Sequence, residues 1–194
     1  MRHTIKKDRL SVKWQRVCDA NEQVSEIINE LFKDNVFSVS RGQIFNETIP
    51  YKRIIKTLWW GYPNGMRVSR YFDNIINVAE EIADRLNDKI GQSLSEDEFL
   101  LLYVAIKELV GSGLGMSTIS KLFYFFNISA EENKSVIVDF RVRSTMNYFE
   151  DFNPIHTANE ARWYLAAVRE INRVAGDWAK PDQIEYFLYG FQEH

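Results

Sequence analysis

Apolar residues recur every three or four positions along most of the chain, which is the spacing of amphipathic helices. The pattern predicts a first helix over residues 10–33, which could contain a break, followed by a polar stretch over 34–49. Further helices are predicted through Ile54, Ile55 and Leu58, over 67–87, over Phe99–Val110, over Met116–Phe126, from Asp139, from 157 to about Arg173, and from Pro181 through Ile184, Phe187 and Leu188. No strand-like alternation of apolar and polar residues stands out, so we expect an all-α protein.

Helix start signals support several of these elements. Ser95 with Glu98, and Thr157 with Glu160, have the three-residue spacing of a capping box. Pro181 suits the first turn of a helix, where its missing N–H group costs nothing. The glycines, proline and asparagine of 61–65 predict a turn that ends the helix before it.

The amino-acid composition excludes several kinds of functional site. The chain has 194 residues, a length that allows one compact core or two small helical lobes. Cys18 is the single cysteine, which excludes an internal disulfide and a four-cysteine iron–sulfur cluster. With only three histidines, two of them beside the termini, we expect no metal site. The start of the chain lacks the apolar run of a signal peptide, so we expect a cytoplasmic protein, and a monomer.

Charge is unevenly distributed along the chain. The formal net charge is -3, whereas nucleic-acid binders usually carry a basic surface. Residues 51–70 nevertheless contain five basic and no acidic side chains, and 19–34 are mainly acidic. The five are Lys52, Arg53, Lys56, Arg67 and Arg70. This segment is either one positive patch or an ordinary solvated helix face, and charge alone favours the second.

The segment Leu109–Met146 carries the most chemistry. A predicted helix ends at Gly111, and Gly113-Leu114-Gly115 then forms a hairpin before the next helix. Glycine permits positive φ and leaves no side chain between the backbone N–H groups and an approaching phosphate, which the N-terminus of the next helix would also attract. Glycines also end helices for purely structural reasons, so the hairpin alone does not establish a phosphate site.

The order of motifs in this segment resembles a known family. Gly-Leu-Gly-Met-Ser-Thr, an aliphatic and aromatic helix, an apolar run over 136–138 and then Asp-Phe-Arg-Val-Arg are similar to the signature of helix-hairpin-helix DNA glycosylases. In particular, the segment is similar to compact bacterial 8-oxoguanine-glycosylase-like proteins. The resemblance implies that the hairpin residues Gly113, Leu114 and Gly115, with Ser117 and Thr118, bind the DNA backbone. It also implies that Asp139 is catalytic.

The same resemblance implies a two-lobed fold with the active site in a groove between the lobes. Residues 1–50 and 139–194 would form one lobe, and 51–138 would form a barrel-like lobe with the helix-hairpin-helix at about 105–126. The expected partner is double-stranded DNA. No cofactor is expected, apart from a monovalent cation that the hairpin could hold.

One lysine position decides between two reaction types. Bifunctional members of the superfamily carry a Schiff-base lysine two residues after the second hairpin glycine, where this chain has Ser117. The resemblance therefore implies a monofunctional enzyme that excises a base with water. Lys121 lies one helical turn further on, on the same face. It could read a base edge, bind a phosphate or act as a displaced amine, or it could be a solvent-facing lysine.

The predicted chemistry needs a fixed carboxylate. Cleavage of an N-glycosidic bond develops positive charge on the sugar, which Asp139 could stabilise while it orients or deprotonates the attacking water. The alternative for Asp139 is a helix N-cap, and one residue can have both roles. Arg141 and Arg143 could contact phosphate or could be ordinary surface charges.

A base must leave the duplex stack to be cleaved, so aromatic side chains should line or wedge the cleft. The candidates are Trp59, Trp60, Tyr62 and Phe140, for each of which core packing is the alternative. The leading hypothesis is a monofunctional glycosylase for an oxidised purine such as 8-oxoguanine, or for a hypermodified phage base. The alternatives are a bifunctional glycosylase and lyase that uses Lys121, and a non-catalytic helix-hairpin-helix module that binds DNA.

Overall fold

The structure is a computed structural model that describes residues 3–6, 10–33, 36–111 and 113–191. His194, one of the histidines considered above, lies outside this part of the chain. Within the described residues the chain forms eleven helices and six short strands. The helices are α1 Val12–Ala20, α2 Glu22–Leu31, α3 Arg41–Phe45, α4 Pro50–Gly61, α5 Ser69–Asn77, α6 Ala79–Asn87, α7 Glu96–Val110, α8 Met116–Phe125, α9 Phe140–Met146, α10 Glu160–Ala175 and α11 Pro181–Gly190. The predicted all-α class is confirmed by this mainly helical content.

The strands form two small sheets that the sequence pattern did not predict. In the first sheet β1 His3–Lys6, β3 Val36–Val39 and β2 Phe32–Lys33 are antiparallel, with β3 in the centre. In the second, β4 Ser93–Leu94 pairs in parallel with β5 Ser129–Ala130, which pairs antiparallel with β6 Asn133–Lys134. Strands of two to four residues are too short to show a recognisable alternation, so they gave no signal in the sequence.

Two predicted helices are each divided in two. The stretch 10–33 breaks at Asn21, whose extended backbone ends α1 and whose side chain accepts a hydrogen bond from the Val24 N–H group at 3.0 Å to start α2. The stretch 67–87 breaks at Val78, between α5 and α6. The break expected in the first helix is therefore confirmed, whereas the second break was missed because Val78 carries no turn signal.

The chain divides into two compact units, and each is described by itself. The first takes in residues up to Asp88 together with Leu109–Leu114, and the second takes in Lys89–Glu108 and the chain from Gly115 onward. These boundaries differ from those of the predicted lobes. The predicted lobes and their DNA-binding groove stay predictions.

The first unit is built around tryptophan. Trp14 is fully buried, and its ring centroid lies 4.8 Å from that of Trp59 and 4.6 Å from that of Phe72. The Trp14 indole N–H group donates to the Tyr62 carbonyl oxygen at 2.8 Å. These contacts join α1, α4 and α5 around one aromatic centre.

The second unit has an aromatic core that joins α7, α8 and α10. Phe99 packs edge-on against Phe123 at 5.0 Å and stacks on Tyr164 at 5.7 Å. The Tyr164 hydroxyl donates to the Val136 carbonyl oxygen at 3.2 Å. This core therefore also holds the apolar run that precedes Asp139.

One of the two predicted capping boxes is present. Ser95 and Glu98 exchange hydrogen bonds at the start of α7, because the Glu98 carboxylate accepts from the Ser95 N–H group and the Ser95 hydroxyl accepts from the Glu98 N–H group. The prediction at Thr157 was wrong: Asn159 caps α10 by accepting from the Arg162 N–H group. Glu160 therefore does not complete a capping box, and its side chain contacts other residues instead. Pro181 begins α11, as predicted.

Candidate active site

The two hairpin positions, 113 and 115, differ in how far the structure requires glycine. Gly113 has φ +100°, and a Cβ atom at this position would lie 2.1 Å from the ring of Tyr71. Both the backbone conformation and the packing in the first unit therefore exclude a side chain. Gly111, two residues earlier, also has positive φ.

Gly115 does not have the positive φ that the sequence suggested, because its φ is -99° as the N-cap of α8. A Cβ atom here would meet the Glu160 carboxylate at 3.8 Å, which is ordinary contact. Neither backbone strain nor crowding requires glycine at 115.

The start of α8 already has an anionic partner. The Met116 N–H group donates to Oε1 of Glu160 at 2.8 Å, and Oε2 of Glu160 forms a close ion pair with Lys107. Burial raises the pKa of Glu160, but the hydrogen bonds from Lys107 and Met116 outweigh it and leave the pKa below its ordinary value. The first amide of α8, where a phosphate was expected, is thus occupied by an ionised side chain.

Lys121 is buried, with 6% of its surface exposed. Its Nζ donates to the Ser117 carbonyl oxygen at 2.9 Å and to the Ser117 hydroxyl at 2.7 Å. The solvent-facing alternative for Lys121 was wrong. The amine reaches back one turn to Ser117, where the sequence resemblance places the lysine of bifunctional enzymes.

A buried serine fixes the segment that leads to Asp139. The Ser120 hydroxyl oxygen accepts from the Val138 N–H group at 3.1 Å, and the hydroxyl lies 3.3 Å from the Val138 carbonyl oxygen. Both residues are fully buried. Because Lys121 follows Ser120 and Asp139 follows Val138, this contact holds the two predicted catalytic residues on adjoining backbone segments of the second unit.

Asp139 is the N-cap of α9, as the structural alternative predicted. Its Oδ1 accepts hydrogen bonds from the N–H groups of Arg141 at 2.9 Å and Val142 at 3.1 Å. Its Oδ2 has no hydrogen-bond or ion-pair partner among the described residues. The side chain is half-buried, so one oxygen orients the carboxylate while the other stays available.

The first turn of α9 presents an apolar ring and two cations. Phe140 is 81% exposed beside Asp139. The Arg141 guanidinium lies 5.2 Å from the Tyr189 ring centroid, and that of Arg143 lies 4.6 Å from the Trp163 ring centroid. Stacking restricts both arginines while leaving their N–H groups able to donate at the edges.

The other predicted site residues lie in less accessible places. Trp59 and Trp60 are buried in the first unit, and Tyr62 is half-buried there. Leu114 and Thr118 are also buried. Core packing accounts for the contacts of the two tryptophans. Phe140 is the aromatic candidate that projects into solvent, and the wedge role stays a prediction for all four candidates.

Two of the five basic side chains in 51–70 form ion pairs within the first unit. Lys52 pairs with Glu30 at 2.8 Å, and Lys56 forms a close ion pair with Glu47. Arg53 is buried and donates to the Glu47 carbonyl oxygen. Neither alternative from the sequence describes Lys52, Arg53 and Lys56, because two of them are ion-paired and the third is buried.

Two residues of this site were missed from the sequence. Glu160 had been assigned to a local capping box, and Ser120 is an ordinary serine inside an apolar helix. Their partners lie 44 and 18 positions away in the chain, so local spacing gives no signal for either contact.

The comparisons with known proteins agree with the resemblance drawn from the motifs. Neither the curated proteins nor the solved structures contain a match. In the described ranges, no helix is long and apolar enough to cross a membrane. A family model described as "Putative 8-oxoguanine DNA glycosylase OGG-like protein" matches residues 3–189, nearly the whole sequence. The chain therefore belongs to this family of 8-oxoguanine-DNA-glycosylase-like proteins.

Proposed function

We propose that this protein is a monofunctional DNA glycosylase that hydrolyses the N-glycosidic bond of a modified base in double-stranded DNA. Family membership supports glycosylase activity and DNA binding. An oxidised purine such as 8-oxoguanine is the first substrate to test, and a hypermodified phage base is the second. The same bond cleavage would serve repair in the first case and defence in the second.

The observation that carries the proposal is the geometry of Asp139. Two N–H groups of α9 hold Oδ1, and this fixes the carboxylate plane while Oδ2 stays without a described partner. A carboxylate held in this way costs little reorganisation when positive charge develops on the sugar. Oδ2 would face C1′ and the attacking water, and would accept a proton from that water as the base departs.

Residues around Asp139 suit DNA held through its backbone. Arg141 and Arg143 would each contact a phosphate, and the exposed Phe140 would fill the gap left by the extruded base. The hairpin residues Gly113, Leu114 and Gly115, together with Ser117 and Thr118, are proposed to contact the DNA backbone. The proposed hydrolysis draws on Asp139 and water, with no cofactor in any step.

The direct test is a panel of duplexes that each carry one modified base, incubated with the protein and then heated in alkali. Strand breaks that appear only after alkali would show base release without lyase activity. Salt-sensitive duplex binding with no base released from any member of the panel would instead favour the non-catalytic module. Release from an unmodified duplex at the same rate would contradict the proposed specificity.

Lys121 supports a second candidate, a bifunctional glycosylase and lyase. The favouring observation is its buried amine, 2.7 Å from the Ser117 hydroxyl at the superfamily's lysine position. The unprotonated amine would attack C1′ and displace the base, which leaves with the electrons of the glycosidic bond. Cleavage of the C1′–O4′ bond, with a proton taken up at O4′, would then open the sugar ring and give an iminium. The iminium would lose a C2′ proton, expel the 3′ phosphate and be hydrolysed by water.

Borohydride trapping separates the two candidates. A covalent DNA adduct formed by the wild type and by Lys134→Ala, an exposed control, but lost in Lys121→Ala would establish the lyase and contradict the monofunctional proposal. Base release with no adduct in any variant would support hydrolysis.

A further inference from the structure

The second unit contains a cavity of about 730 Å³ between α10, α11 and the segment after α9. Its walls carry four aromatic side chains, Phe149, Phe152, Trp178 and Phe187, and we call it the aromatic groove. Phe149 follows Asp139 by ten positions, beyond the C-terminal end of α9, whereas Asp139 caps the N-terminal end. Seven helical residues span about 10 Å, so the groove is separate from the proposed catalytic carboxylate.

The aromatic rings of the groove are unusually accessible. Trp178 is 75% exposed and Phe187 is 54% exposed. Their positions are nevertheless defined, because the Trp178 indole N–H group donates to the Val174 carbonyl oxygen at 3.0 Å and Phe187 packs against Phe149 at 5.5 Å. Fixed, exposed ring faces are suited to stacking on a planar ligand.

Three polar side chains provide hydrogen-bonding groups at the same walls. Arg173 uses Nε and Nη2 to bind Glu170 and the Asp151 carbonyl oxygen, while its Nη1 has no partner among the described residues. The Gln183 Oε1 accepts from the Lys180 N–H group at 2.8 Å, which leaves the Gln183 amide N–H groups to donate. The Asp151 carboxylate makes no hydrogen bond within the described part of the chain and can accept. The groove thus offers donors and an acceptor beside its ring faces.

The charged side chains around the aromatic groove favour some planar ligands over others. The Arg173 guanidinium is paired with Glu170 at 2.8 Å, so its positive charge is balanced. The Asp151 carboxylate has no ion pair within 4 Å in the described chain, but it also lies close enough to Arg173 for the two charges to attract. With two carboxylates beside one guanidinium, the local charge is negative and disfavours a phosphate. An uncharged ligand therefore fits this groove better than a nucleotide or a nucleic-acid strand.

We propose that the aromatic groove binds an uncharged heteroaromatic ring with a hydrogen-bonding edge, either a free nucleobase or a nucleoside. The ring stacks against Trp178 and Phe187, and its edge receives hydrogen bonds from Arg173 and Gln183 while donating to Asp151. Cavities of several hundred Å³ with mainly apolar walls and a few polar groups are typical of small-molecule sites. This binding is independent of the proposed glycosylase activity and needs no DNA.

The test is calorimetric titration of the full chain with adenine, adenosine, adenosine monophosphate and toluene, with tryptophan fluorescence as a second readout. We expect adenine and adenosine to bind and to quench the emission of Trp178. Adenosine monophosphate should bind at least about tenfold more weakly because of Asp151, and Asp151→Asn should narrow that difference. Toluene, which has no hydrogen-bonding edge, should bind more weakly than adenine.

A matched pair of variants tests the groove itself. Phe187→Ala should lose about tenfold or more in adenosine affinity, since one base–aromatic stacking contact is removed. Tyr186→Ala should keep wild-type affinity, because Tyr186 lies on the same helix at similar exposure, 55%, but does not line the groove. If Phe187→Ala fails to fold, Trp178→Ala provides the same test from a loop position.

Three results would overturn the proposal. They are no binding of adenine or adenosine at millimolar concentration, equal affinity of the wild type and Phe187→Ala for adenosine, and equal or tighter binding of adenosine monophosphate or toluene. A protein without glycosylase activity that still binds adenosine in this way would support the groove and contradict only the proposed function.

Discussion

Replacing Ser120 by alanine tests whether the segment before Asp139 is held by one buried hydroxyl. The Ser120 hydroxyl oxygen accepts from the Val138 N–H group at 3.1 Å, and both residues are fully buried. Alanine keeps the helix and removes only the oxygen. The Val138 N–H group is then left in the core with no partner and no access to water.

The expected cost follows from that orphaned donor. A buried N–H group without a partner costs about 1–3 kcal/mol, and the better helix propensity of alanine returns at most about 0.5 kcal/mol. We expect a net loss of about 0.5–3 kcal/mol in the free energy of unfolding. For a chain of this size, that lowers the midpoint of thermal unfolding by roughly 1–12 °C.

Circular dichroism melts of the wild type, Ser120→Ala and Ser25→Ala measure this loss. Ser25 is a half-buried serine on α2 with one long hydrogen bond, from Asn29 at 3.5 Å, so its removal should change the stability by less than about 0.5 kcal/mol. Base release by Ser120→Ala should also slow, by up to about a hundredfold, because Val138, the residue before Asp139, is no longer held by the Ser120 hydroxyl. An unfolding midpoint for Ser120→Ala equal to that of Ser25→Ala would refute the reasoning.

Three further predictions concern single positions. Gly113→Ala should destabilise the protein by about 2 kcal/mol or more because of its positive φ and crowding, whereas Gly115→Ala should unfold near the wild-type temperature and weaken DNA binding; equal melts for the two variants would contradict this. Glu160→Gln should lower the unfolding temperature at neutral pH through loss of the Lys107 pair. Because the folded pKa of Glu160 lies below its ordinary value of 4.5, the difference should shrink as pH falls below 4.5, and a constant difference across pH would count against the pair. Burial raises the pKa of the Cys18 thiol to about 11, so its alkylation by iodoacetamide should be slow at neutral pH and accelerate towards that value; rapid alkylation at neutral pH would show otherwise.

The sequence predicted the helices well, because their apolar spacing is a local property. The Ser95 cap, the start of α11 at Pro181 and the break in the first helix were all visible in short stretches. The strands were not visible in short stretches, because each forms by pairing with a partner elsewhere in the chain, as Ser93–Leu94 does with Ser129–Ala130. The cap at Asn159 was missed because Thr157 offered the same spacing.

The roles of the candidate site residues stay predictions, and the sequence did not foresee the electrostatic contacts around them. The motif led to Asp139 and Lys121, and the structure gives the first a cap and the second a buried amine. The motif did not reveal that Glu160 accepts a hydrogen bond from the first N–H group of α8, because that contact joins residues 44 positions apart. The motif's implied DNA contacts remain predictions, since they depend on the duplex as well as on the chain.

The most direct test of the central claim is the single-turnover rate of base release by Asp139→Asn on the best duplex of the panel. Asparagine is as good an N-cap as aspartate, so the variant should melt near the wild-type temperature, while its rate should fall by about a hundredfold or more as the charge is lost. Glu98→Gln, which alters another carboxylate at a helix start, should release the base at the wild-type rate. An Asp139→Asn protein that releases the base as fast as the wild type would contradict the assignment of this carboxylate to catalysis.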